Sequence, residues 1–179
     1  VKKHYWLLVV LLLMFLFRGN IFRLCVSYEP MGQRDFIALT DAELVTEISA
    51  WVRLHKAATI EDRIAYARSL TASRVSFVMR TTSGRPDDIV QNGVANCVGY
   101  ARLFAAILDR AAGDGQLKQE ILVGELSVFG QSLHQLTNDP FWRDHDYNKI
   151  TDVNSGEVWF LDATLYDYLG VRQVTSCSL

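Results

Sequence analysis

An α+β fold is predicted by three features of the chain. Two capped amphipathic helices lie in the first half, a third helix opens at Asn96-Cys97, and strand patterns begin only near Glu120. Helices followed by a run of strands, rather than the two in alternation, fit the α+β class. Half of the 179 residues are hydrophobic, enough for one domain with a sizeable core plus an appendage.

The appendage is the N-terminus. Lys2, Lys3 and His4 precede an unbroken apolar run from Tyr5 to Phe17, after which Arg18 intervenes. The run is shorter than the ~20 residues a helix needs to cross hydrocarbon, and closer to the hydrophobic region of a signal peptide. Residues 1–20 therefore read as a signal peptide or membrane anchor. The protein is expected to be membrane-associated or exported, with its body outside the cytoplasm and the membrane as one partner. No Ala-x-Ala site follows the run, so a retained anchor and a removed peptide both stand, and Arg18 and Arg23 weaken the charge argument for orientation. Residues 21–38 mix Pro, Gly, Arg and aromatics without a period and read as a linker or irregular edge, leaving 39–179 as the domain.

Charge excludes several classes of partner. With 18 basic and 20 acidic residues the chain has no nucleic-acid signature, and it shows no basic membrane patch beyond its extreme N-terminus. Cys25, Cys97 and Cys177 form no Cys-x-x-Cys pair and no Cys/His ligand spacing, and no phosphate-binding glycine motif is present. Neither metal nor cofactor is expected. In an oxidising compartment Cys25 and Cys177 are candidates to pair and tie the ends of the body together.

Thr40-Asp41-Ala42-Glu43 has the form of a capping box, with Leu39 and Leu44 as a hydrophobic staple, so a helix should start there and run to about Lys56. Leu44, Ile48, Trp51, Val52 and His55 share one face, which makes His55 a rim or core residue rather than a base. Thr59 with Asp62 caps a second helix through Ile64, Ala67 and Leu70. Arg74 to Arg80 fits strand or helix, and the stretch from Thr81 to Asp88 is a loop by composition.

The third helix carries the chemistry. Asn96 is a good N-cap, Val98, Ala101, Ala105, Leu108 and Ala112 follow helical spacing, and Gly113 is placed to end the helix. Cys97 then sits in the first turn, where unpaired N–H groups and the positive end of the macrodipole favour an anionic sulfur and can donate to an oxyanion. Cys97 is the candidate nucleophile, weighed against the ordinary fate of a free cysteine as a small buried hydrophobe. Gln91, read as part of the loop approaching it, is a candidate oxyanion donor.

Glu120 to Phe129 reads as a strand and the place where the sheet begins. Two further strands, about 144–153 and 157–164, flank Asn154-Ser155-Gly156 as a hairpin. With a two-residue loop Val153 pairs with Gly156 and Tyr147 lies opposite Asp162, so His145 and Asp162 share a face as diagonal neighbours. An imidazole beside a thiol can take its proton and return it to a leaving group, while a carboxylate fixes the ring's tautomer. Cys97, His145 and Asp162 are thus nucleophile, base and orienter, preferred over a set containing His134, which has no carboxylate at matched strand spacing. Asp144-His145-Asp146 is not read as a metal site, because alternate residues of a strand face opposite ways.

Cys97-Val98-Gly99-Tyr100-Ala101 opening a helix, His145 at the head of a strand and Trp159-Phe160-Leu161-Asp162-Ala163-Thr164 ending the next resemble the transglutaminase-like superfamily of papain-like cysteine enzymes. The resemblance covers about residues 87–168. It implies a papain-like core with the cysteine helix packed on an antiparallel sheet, and a Cys, His, Asp triad acting on a protein or peptide substrate. One position departs from it: a small residue usually follows the histidine, and here Asp146 stands there. Hydrolysis of a peptide or isopeptide bond, or amide transfer, is the expected activity. An inactive member serving as a binding or assembly module is the alternative.

Overall fold

The structure is a computed structural model that describes residues 2–113, 115–133 and 144–177. Helices α1 (Lys2–Leu16) and α2 (Arg18–Cys25) lead into strand β1 (Val26–Arg34), followed by α3 (Ala42–Leu54), α4 (Ile60–Arg74) and β2 (Ser76–Phe77). Next come α5 (Pro86–Asn92), β3 (Val94–Ala95), α6 (Cys97–Ala112), β4 (Leu117–Val128) and β5 (Gln131–Ser132). The chain ends with β6 (His145–Asp152), β7 (Val158–Leu161), α7 (Ala163–Leu169) and β8 (Thr175–Ser176). The α+β class is therefore correct. The main sheet runs β7-β6-β4-β1-β8 with β5 beside β4, all antiparallel except the β1–β8 pair, and β2 and β3 form a separate parallel pair.

Helix α6 is the centre of the molecule. Leu103, Phe104, Ile107 and Leu108 are buried in one cluster with Leu44 and Ile48 of α3, Ile64 and Leu70 of α4, and Ile150, Trp159 and Leu161 of the sheet. Each such side chain contributes about 1.5–3 kcal/mol by leaving water. Toward the sheet α6 presents Ala101 and Ala105, which meet Ile121, and the Asn148 amide donates to the Ala101 carbonyl at 3.0 Å. The opposite sheet face has a smaller core of Tyr28, Leu122, Tyr147, Val171 and Val174.

The local signals around α6 hold. Asn96 accepts from the Gly99 N–H at 3.1 Å, and Gly113 ends the helix at φ 76°. Gly99 is required by close approach: a Cβ there would lie 2.8 Å from the Ala95 Cβ and 3.2 Å from Ile89 Cδ1. Tyr100 is fully buried, and its hydroxyl contacts the Val75 carbonyl at 3.0 Å and the Asp167 carboxylate at 2.7 Å, tying α6 to the end of α4 and to α7. Thr59 and Asp62 form the expected capping box of α4. On α3 the cap shifts by one residue to Asp41, because the Thr40 hydroxyl is committed to Asp87 at 2.6 Å.

Four expectations are corrected. The segment read as linker, 21–38, contains the end of α2 and the whole of β1, so the sheet begins there and not at β4. Its pattern is hidden by Pro30 and Gly32, which flank a bulge, and β8 pairs only with Ser27 and Tyr28, so Pro30 lies where the missing N–H is tolerated. Residues 86–92, read as approach loop, form α5, with Pro86 in its first turn and Gly93 in the left-handed conformation at its end. Ala163 and Thr164, read as strand, open α7. The 153–156 connection is a four-residue turn closed by the Asp152–Glu157 backbone pair, not a two-residue loop.

All three cysteines are free. The β1–β8 register sets Cys177 beyond Ser176, which pairs with Tyr28, so it lies about four residues, roughly 13 Å, along the sheet from Cys25. A disulfide needs Cα atoms within about 7 Å, so the expected pairing is excluded by register. At the N-terminus every side chain from Tyr5 to Phe17 is exposed. No single helix among the described residues is long and apolar enough to cross a membrane, but α1 and α2 pass that test together as a pair bent by 72°.

Gly99→Ala is expected to lower stability by about 1–3 kcal/mol through overpacking against Ala95. A fall in the urea midpoint at unchanged slope would show it.

Candidate active site

The hairpin register brings the histidine and the carboxylate together. Asn148 pairs with Leu161 and Ile150 with Trp159, which carries Tyr147 opposite Asp162, as expected. A four-residue turn preserves the parity of a two-residue one, so no side chain changes face. His145 Nε2 lies 2.5 Å from Asp162 Oδ2. His145 keeps 17% of its side-chain exposure while the Asp162 side chain has none, so the pair opens to the surface only through the ring.

Asp162 is also the N-cap of α7. Its Oδ1 accepts from the Leu165 N–H at 2.9 Å, while Oδ2 accepts from the Tyr28 hydroxyl at 2.7 Å as well as from His145. Burial by itself would raise the carboxyl's pKa, but the positive charge of His145 and these hydrogen bonds outweigh it and hold the group below the ordinary carboxylate value. For His145, burial pulls the pKa down, and the Asp162 charge and hydrogen bond overcome it, with a hydrogen bond and charge from Cys97 adding to the rise. The ring is held well above the ordinary histidine value.

Cys97 lies near enough to His145 to add to the rise in its pKa, and with Nε2 on Asp162 the ring nitrogen left for another partner is Nδ1. The cysteine is 7% exposed and opens α6. Because Asn96 takes the Gly99 N–H, the N–H groups of Cys97 and Val98 are the donors at the helix end without an intrahelical acceptor. Gln91 is not brought into this group: it is exposed on α5. His134 lies outside the described residues. His55 is exposed, stacked on Trp51 with ring centroids 4.7 Å apart, and does not take part.

Tyr28 is the member of the site that sequence reasoning missed. It is fully buried, edge-on to His145 at 5.9 Å between centroids and 4.8 Å from Tyr147. Burial, reinforced by the Asp162 charge, raises its pKa well above the ordinary phenol value, so it serves as a permanent donor. Gly124, opposite His145 on β4, leaves room for this packing, since a Cβ there would lie 2.6 Å from Tyr147 Cε1. Asp146 is buried and bound to Arg34 at 2.5 Å, and the same guanidinium reaches Asp144 at 3.0 Å. The acidic neighbour of the histidine is therefore held by Arg34.

Tyr28→Phe removes one hydrogen bond from a buried carboxylate and should cost about 1.5–3 kcal/mol, with acid unfolding moved to higher pH. In the parent chain the raised His145 contributes stability that is complete below about pH 6.5 and is lost as pH rises through its folded value. The depressed Asp162 contributes stability present above about pH 4 that is lost as pH falls through its own folded value. Asp162→Asn keeps the cap on Leu165 and deletes the charge that opposes burial, so the His145 pKa should fall, which ring-proton NMR against pH would follow.

Comparison of the chain with protein families, with curated proteins and with solved structures finds no match.

Proposed function

We propose that the protein is a cysteine-dependent acyl-transfer enzyme with Cys97 as nucleophile, His145 as acid and base, and Asp162 as the group that orients the ring. The contact that carries this reading is His145 Nε2 on Asp162 Oδ2 at 2.5 Å, with Cys97 among the groups that raise the ring's pKa. A cysteine helix packed on an antiparallel sheet that supplies the histidine supports the papain-like, transglutaminase-like core. The exposed apolar α1 supports membrane association through the N-terminal segment, with the catalytic body exported.

In the first half-reaction sulfur bonds to the carbonyl carbon while the thiol's proton is held on His145. The carbonyl oxygen becomes an oxyanion facing the Cys97 and Val98 N–H groups, in place of the exposed Gln91. As the carbon–nitrogen bond breaks, His145 returns the proton to the departing amine and a thioester remains. A second nucleophile, deprotonated by His145, adds to the thioester and expels the Cys97 sulfur. Water gives hydrolysis, the preferred outcome, and an amine gives amide transfer.

A thiol-directed acyl-mimicking probe should label the full chain and leave Cys97→Ala unlabelled, while His145→Ala should slow labelling by about 10²–10⁴-fold. Equal labelling of Cys97→Ala and the parent would overturn the assignment. New protein termini in cells with the parent, and none with Cys97→Ala, identify hydrolysis, whereas new isopeptide links identify transfer.

A further inference from the structure

Two arginines of α2 and a third about 150 residues further on converge where α1, α2 and the segment after α7 meet. Arg18, Arg23 and Arg172 line a cavity of about 470 Å³ together with Leu16, Asn20 and Gln173. No acidic residue lines it, and among the described residues none of the three guanidiniums has a carboxylate within salt-bridge distance. Charge composition gives no hint of this cluster, because the overall balance is near neutral.

The cluster is held in place by backbone contacts. Arg18 donates through Nε to the Leu169 carbonyl and through Nη1 to the Phe15 carbonyl at 2.9 Å, and it lies over the Phe15 ring. The carbonyl of Arg23 accepts from Thr175 Oγ1 at 3.1 Å, and that of Arg172 accepts from the Arg68 guanidinium at 2.5 Å. The main chain is thus fixed at both places, and the Arg23 and Arg172 side chains stay exposed. Such a cavity is rich in N–H donors and uncompensated positive charge, which suits the oxygens of a phosphate group.

Its position narrows the ligand. Leu16 is the last residue of α1, and the side chains from Tyr5 to Phe17 form an exposed apolar surface that ends at the arginines. An apolar column ending at a cationic cavity matches a lipid, with acyl chains along the helix and the headgroup at its foot. We propose that Arg18, Arg23 and Arg172 bind the phosphodiester headgroup of an anionic phospholipid. This rests on the reading of α1 as a membrane segment. Three positive charges without a counter-charge favour a headgroup of net negative charge over a zwitterionic one.

The test uses the full chain in neutral detergent, with thermal unfolding followed as short-chain phosphatidylglycerol, phosphatidylcholine or inorganic phosphate is added. Phosphatidylglycerol should raise the unfolding temperature and phosphatidylcholine should not. Arg23→Gln combined with Arg172→Gln should weaken the apparent affinity for phosphatidylglycerol roughly ten- to thirty-fold, while the paired lysine substitutions keep most of it. Arg18 is left intact because it bonds to backbone, and the unfolding temperatures without lipid check that the variants fold. Equal responses to the two lipids, or an unchanged response in the glutamine variant, would overturn the proposal. Phosphate alone matching phosphatidylglycerol would overturn the lipid assignment. Flotation with phosphatidylcholine vesicles tests α1 separately: failure there removes the membrane reading, whereas the detergent titration reports on the cavity alone.

Discussion

The Asp162 carboxylate is buried with both oxygens committed, one to the first turn of α7 and the other to His145 and Tyr28. Removing a carboxylate from water costs several kcal/mol even after relaxation, so it is retained only where charge and hydrogen bonds offset the loss. Here the offset comes from three places in the chain: the imidazole of β6, the phenol of β1 and the N–H end of α7. The demand fixes more than a side chain. It requires β7 to stop at Leu161, the hairpin to keep even parity, and β1 to lie close enough on the same sheet for Tyr28 to reach across. A shift of one residue in any of these strands would leave a charge buried without its partner.

What was legible in the sequence follows from how local each signal is. Helix α6 announces itself through Asn96, the spacing of its apolar residues and Gly113, all within one element. The His145–Asp162 pairing was legible because face depends on the parity of the turn, and a wrong turn length of the same parity left the register intact. Strand β1 was hidden, since the bulge between Pro30 and Gly32 breaks the alternation that marks a strand. With β1 hidden, Tyr28 had no element to stand on, and no neighbouring residue hints that it belongs beside Asp162. Helix α7 carried a weak signal, with Asp162 in N-cap position and Gly170 after the last turn, but the preceding apolar run Trp159-Phe160-Leu161 drew it into the strand. Of the three arginines of the basic cavity, Arg18 and Arg23 share α2, but Arg172 lies about 150 residues further on, so only the tertiary fold brings it to them.

The two sheet faces explain what is gained by placing His145 first on its strand. Along β6, Asn148 and Ile150 turn toward α6, while Tyr147 turns toward the Tyr28 core; by alternation His145 belongs to the Tyr28 side. Cys97 belongs to α6, on the other side. A histidine in the middle of the strand would be separated from the sulfur by the sheet itself, whereas one at the end can meet the first turn of the helix around the edge. That end must then be held, because strand termini fray. Arg34 does this from β1, gripping Asp144 and Asp146 on either side of His145. The acid that departs from the small residue expected after the histidine is thus part of the clamp that holds this end of the strand, and it binds Arg34 while lying buried on the face opposite His145.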